Sequence, residues 1–97
     1  MSKNLHTKAM DDLLDGVLSL QTREEAYLFF EDLCTVGELE AIQQRFAVAM
    51  MLRQEKTYAE IAEETGASTA TISRVNRALN YGNDAYDMVI NRLEDKN

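Results

Sequence analysis

Three Thr-x-x-Glu boxes, at Thr22–Glu25, Thr35–Glu38 and Thr57–Glu60, cut this chain into helical segments. In such a box the hydroxyl accepts a backbone N–H at the helix start and the carboxylate reaches back to the threonine N–H, so two orphan donors are satisfied locally. Between the boxes the apolar residues keep a helical period, and no segment alternates as a strand would. Proline is absent, and the four glycines (Gly16, Gly37, Gly66 and Gly82) stand singly. The pattern predicts an all-α fold of six helices: Thr7–Leu20, Arg23–Cys34, Val36–Gln54, Tyr58–Thr65, Thr69–Leu79 and Asp84–Glu94. Asn80-Tyr81-Gly82 is expected to stop the fifth helix, with Gly82 at positive φ.

The 97 residues suffice for one domain, in which 1–56 would serve dimerisation, 57–80 a helix-turn-helix and 83–95 a C-terminal helix. A chain of this size hides only about 60 to 65 % of its unfolded surface. Yet the second helix carries Tyr27, Leu28, Phe29 and Phe30 in succession, apolar nearly all round. Such a helix must be covered on most sides, and a second copy of the chain is the economical cover; an exposed apolar patch is the alternative.

Chemistry-bearing residues are sparse. His6 is the sole histidine and Cys34 the sole cysteine, so neither a metal site nor a nucleophile–base pair has support, and no cofactor is expected. Cys34 reads as a small buried hydrophobe, Met50, Met51 and Met88 as core filler, and Glu24–Glu25 and Glu63–Glu64 as solvated faces rather than paired carboxylates. A reduced, cytoplasmic setting fits one cysteine and a polar N-terminus without a signal-peptide core. No apolar run approaches the ~20 residues of a membrane helix. An enzyme is not expected.

Net charge is −7, which opposes nucleic acid as a partner until its distribution is considered. Ser68 to Gly82 holds two arginines and no acid, a local +2, while acids gather at Asp11–Asp15, Glu24–Asp32 and Glu60–Glu64. Phosphates respond to the field within about 8 Å, so this charge predicts weak non-specific binding without excluding DNA.

The informative stretch is Thr57 to Leu79. Two short helices crossing steeply need a small residue at the crossing, supplied by Ala62, and a left-handed residue in the turn, supplied by Gly66. Ile61, Ile72, Val75 and Leu79 can form the shared core. At 100° per residue, Ala70, Arg74, Arg77 and Tyr81 then point outward with Ser73 at the flank. Arginine pairs with guanine, alanine and threonine methyls meet the thymine methyl, and hydroxyls bond bases or phosphate. Ser68 and Thr69 stand at the helix start, where backbone N–H groups favour a phosphate. The candidate double-stranded DNA contacts are therefore Ser68, Thr69, Ala70, Thr71, Ser73, Arg74 and Arg77.

Glu38-Leu-Glu-Ala-Ile-Gln-Gln-Arg45, Met51-Leu-Arg-Gln54 and Gly66-Ala-Ser-Thr-Ala-Thr-Ile-Ser-Arg74 resemble the Trp repressor family, closest to its YerC/YecD relatives. The resemblance implies a bacterial transcriptional regulator, a repressor, built as an intertwined all-α homodimer. It also places Arg53, Thr71 and Arg74 at positions of the family's corepressor pocket. Val75 and Ala78 stand where the repressor has glycine and serine, and the helix before is one residue shorter between Glu40 and Arg53. The valine adds bulk and the alanine cannot bond an amino group, so tryptophan is not the expected corepressor; any other small-molecule effector is left open. A protein-docking module with this fold and a purely structural dimer are the competing functions, and the polar outward residues favour DNA.

Overall fold

The computed structural model of the chain describes residues 4–95, which hold six helices and no strand. They are α1 Lys8–Leu18, α2 Arg23–Leu33, α3 Val36–Arg53, α4 Tyr58–Thr65, α5 Thr69–Tyr81 and α6 Ala85–Asp95. The chain forms two compact units, one ending at Leu39 and the other beginning at Glu40, inside α3.

In the first unit Thr7 caps α1 by accepting the Met10 N–H at 3.1 Å. Thr22 does the same for Glu25 at 3.1 Å, but the Glu25 carboxylate accepts from Gln21 N–H rather than from Thr22, so this box is displaced by one residue. The Thr35 box is complete: Thr35 N–H donates to Glu38 Oε1 at 2.8 Å and Glu38 N–H to Thr35 Oγ1 at 3.1 Å. Phe29 and Phe30 meet edge to face at 5.6 Å. Neither α1 nor α2 buries a residue fully; Leu18 is 82 % exposed and Tyr27 60 %, with Leu28 and Leu33 also open. Cys34, expected to be buried, is only partly covered because it ends α2 at an exposed turn.

The second unit contains the core: Val48 and Ala49 of α3, Ile61 of α4, Ala67 of the turn, Ile72, Val75 and Leu79 of α5, and Ile90 of α6. Phe46, Met50, Met51, Leu52, Ala62 and Tyr86 pack around it. Met88, expected as core filler, is exposed on α6, as are Val89 and Leu93; Ile90 is the residue of that helix that is buried.

Two corners turn on a left-handed residue other than glycine. α3 ends without glycine: Glu55 takes the left-handed conformation at φ 63°, and Lys56 N–H donates to Met51 O at 3.1 Å, a Schellman-type closure. α5 continues to Tyr81, two residues past the expected stop, and Gly82 has φ −91° rather than a positive value. Its N–H still bonds Ala78 O at 2.9 Å, and a Cβ there would lie 2.5 Å from that oxygen. Glycine is needed for close approach, and the left-handed turn falls on Asp84 at φ 62°.

Candidate nucleic-acid interface

Thr57 opens α4 with a full capping box, and Ile61 one turn on is completely buried. Gly66 then reverses the chain at φ 74°, donating its N–H to Ala62 O at 2.9 Å. Thr65 braces the turn from both sides: its hydroxyl donates to Ile61 O at 2.7 Å and accepts Ala67 N–H at 3.1 Å. Gln44 of α3 donates to Thr65 O at 3.2 Å and so ties the turn to the long helix. Gly66 makes the left-handed turn, Ala62 packs against the edge of the core, and Ile61, Ile72, Val75 and Leu79 form the shared core as expected.

Ser68 caps α5. Its oxygen accepts Thr71 N–H at 3.1 Å while its hydroxyl donates to Thr71 Oγ1, also at 3.1 Å. Both hydroxyls are thus engaged in the cap, and the Thr69 and Ala70 amides occupy the open end of the helix. With Ile72, Val75 and Leu79 buried, Ala70, Ser73, Arg74, Arg77 and Tyr81 lie on the exposed side, and Thr71 is half-buried. No ion pair engages Arg74 or Arg77 among the described residues.

The acids of α4 are occupied or open to water. Glu60 accepts Thr57 N–H at 2.8 Å, which holds its carboxyl below the usual range. Glu64 pairs with Lys56 at 3.2 Å, and Glu63 is exposed.

Arg53 corrects one expectation. It does not join Thr71 and Arg74 but turns toward α6, where its guanidinium grips Asp87. The cation that shares a cleft with Ala70, Thr71 and Arg74 is Arg45 of α3, with Ala41 and Gln44 completing a lining of about 390 Å³. Arg45 is half-buried and in no ion pair among the described residues. Its position was legible: Ala41, Gln44, Arg45 and the buried Val48 repeat at helical spacing on one side of α3. Val75 points into the core and does not line this cleft, so its bulk supports α5 from within.

The described residues hold no helix long and apolar enough to cross a membrane and no cluster of three potential metal ligands.

Comparison with known proteins agrees with this geometry. Residues 8–94 match the family model of the Trp repressor protein. The chain is 55 % identical over 91 residues to the uncharacterized protein YerC of Bacillus subtilis (strain 168), covering 94 % of this chain and 88 % of that protein. It is 31 % identical over 80 residues to a Trp operon repressor homolog of Chlamydia caviae, covering 81 % and 79 % respectively. The crystal structure of a TrpR-like protein from Eubacterium eligens superposes with a TM-score of 0.91 at 60 % identity, over 93 % of each chain. Matched over nearly its whole length, and carrying a helix-turn-helix with two exposed arginines, this chain belongs to the Trp repressor family of DNA-binding regulators.

Proposed function

We propose that the chain is a homodimeric, sequence-specific transcriptional regulator, acting as a repressor in the cytoplasm, that reads a near-palindromic operator with α5 and does not use tryptophan as corepressor. The observation that carries this is the division of α5: Ile72, Val75 and Leu79 are buried, while Ala70, Ser73, Arg74 and Arg77 are exposed, with neither arginine in an ion pair among the described residues. Arg74, the sixth residue of the helix, is assigned to a base edge, and Ala70 and Ser73 to thymine methyl and base or phosphate contacts. Thr69, Ser68 and Thr71 group at the helix start, where the amides suit a phosphate oxygen. Arg77 lies further along, where a helix entering by its N-terminus meets the backbone.

Dimerisation is supported by the uncovered apolar residues of α1 and α2, which one copy leaves in water. Independence from tryptophan is supported by Ala78, which offers no hydroxyl, and by Arg53, which is committed to Asp87.

Selection of binding sites from random duplex DNA tests the proposal. Enriched sites should carry inverted half-sites with centres about 34 Å apart, unaffected by added tryptophan. Absence of enrichment, or enrichment without inverted symmetry, contradicts it, and capture of a protein through the face bearing Tyr81 would point to the docking module instead.

A further inference from the structure

Arg53 stands at the end of α3 and reaches two other helices at once. Its Nε donates to Asp87 Oδ1 at 2.7 Å and its Nη2 to Asp87 Oδ2 at 2.9 Å, the two-pronged pairing that a planar guanidinium makes with a carboxylate. The same Nη2 donates to Leu79 O at 3.3 Å, a carbonyl in the last turn of α5. Carbonyls at a helix end lack intrahelical partners and carry partial negative charge, so a guanidinium there both satisfies and complements them. Asp87 lies in the first turn of α6, where a carboxylate is favoured for the converse reason.

We infer that Arg53 and Asp87 form a clamp that fixes the tilt of α5 and so sets how sharply the helix discriminates its DNA site; the inference rests on the DNA-reading function proposed above. The turn at Gly66 restrains only the N-terminal end of α5, and the core grips it between Ile72 and Leu79. The clamp is the polar tie at the other end. From Val75 to Ala70 is five residues, about 7.5 Å of rise, so a 10° rotation about Val75 moves the base-facing end by ~1.3 Å. Recognition geometry tolerates about 0.5 Å, so a modest loosening at Leu79 suffices to blur base contacts. Neither Arg53 nor Asp87 lines the cleft containing Arg74; Arg53 lines a separate hollow with Met50, Gln54 and Ile90, and the two belong to α3 and α6 rather than to α5. They act on DNA through the helix as positioning residues.

The test compares Arg53→Gln, Arg53→Lys and Asp87→Asn with the unaltered protein. Affinity for the selected operator and for a scrambled duplex is measured across a salt series, after circular dichroism and unfolding have fixed the folded fraction. The expected result is that Arg53→Gln and Asp87→Asn lower the operator-to-scrambled ratio about five-fold or more, with the salt slope unchanged. Arg53→Lys should recover part of the ratio, because the charge remains and the two-pronged grip does not. An unchanged ratio in folded Arg53→Gln overturns the clamp, and so does a lower salt slope, which would make Arg53 a phosphate contact. Hydrogen exchange of the α5 amides from Asn76 to Tyr81 provides the independent arm: exchange at least about ten-fold faster in Arg53→Gln supports the clamp and unchanged exchange overturns it. If the unaltered protein prefers no sequence, the DNA-reading function fails and the hold on α5 is judged on the exchange arm alone.

Discussion

Thr57 and Glu60 satisfy one another at the entrance to the helix-turn-helix: Glu60 Oε1 accepts Thr57 N–H at 2.8 Å, and Thr57 Oγ1 accepts Glu60 N–H at 3.1 Å. This places Ile61 at the start of the shared core while the acid side of α4 stays in water. Thr57→Ala should therefore lower stability by about 1 kcal/mol, the usual cost of losing an N-cap. Denaturant midpoints measure it; an unchanged midpoint would mean that the tertiary core alone sets the helix start.

Acid should weaken the fold through three carboxyls held below the usual range. Backbone N–H bonds from Thr35 and Thr57 lower Glu38 and Glu60, and the hydrogen bond from Arg53 lowers Asp87. A depressed folded-state value means that the contribution is complete above the unfolded value, near pH 4, and is lost as pH falls through the folded one. The stability difference between the unaltered protein and Glu60→Gln should thus shrink from pH 6 to the most acidic pH at which the fold survives. A difference independent of pH would contradict the assigned bonds.

Two glycines separate conformational cost from steric cost. A Cβ at Gly66 or at Gly37 would meet nothing within 4 Å, but only Gly66 has positive φ, at 74°. Gly66→Ala should cost roughly 1 to 2 kcal/mol through backbone strain. Gly37→Ala, inside α3, should stabilise by about 0.4 to 1 kcal/mol by narrowing the unfolded ensemble. Equal effects at the two sites would remove the left-handed turn from the account.

The helix-turn-helix was legible because its demands are local: Ala62, Gly66 and the Ile61, Ile72, Val75, Leu79 spacing each follow from helix geometry and one turn. What escaped the sequence depends on tertiary partners or unusual backbone. Glu55 takes a left-handed turn with no glycine to announce it, and Gly82 is required by the nearby Ala78 carbonyl rather than by its φ. Arg53 was placed by resemblance alone, and only the position of Asp87 after the α5–α6 corner shows where it turns. Arg45 was on view at helical spacing but has meaning only beside Arg74. The exposed side chains of α1 and α2 show the need for cover without showing its geometry.

That need makes association measurable. If a second copy covers α1 and α2, folding and dimerisation are coupled, and the unfolding midpoint should rise with protein concentration. Tyr27→Ser and Leu28→Ser, at exposed positions, should weaken association while leaving the α4–α5 core intact. A folded 11.0 kDa monomer with a concentration-independent midpoint would contradict the dimer.

The central claim, that α5 reads DNA with its exposed arginines in distinct roles, is tested most directly by the salt dependence and base preference of Arg74→Ala beside Arg77→Ala on the selected operator. Arg74→Ala should cost roughly 1 to 3 kcal/mol and relax preference at one base pair, while Arg77→Ala should weaken all sequences alike and lower the salt slope by about one. If both variants bind the best selected site as the unaltered protein does, α5 is not a DNA reader.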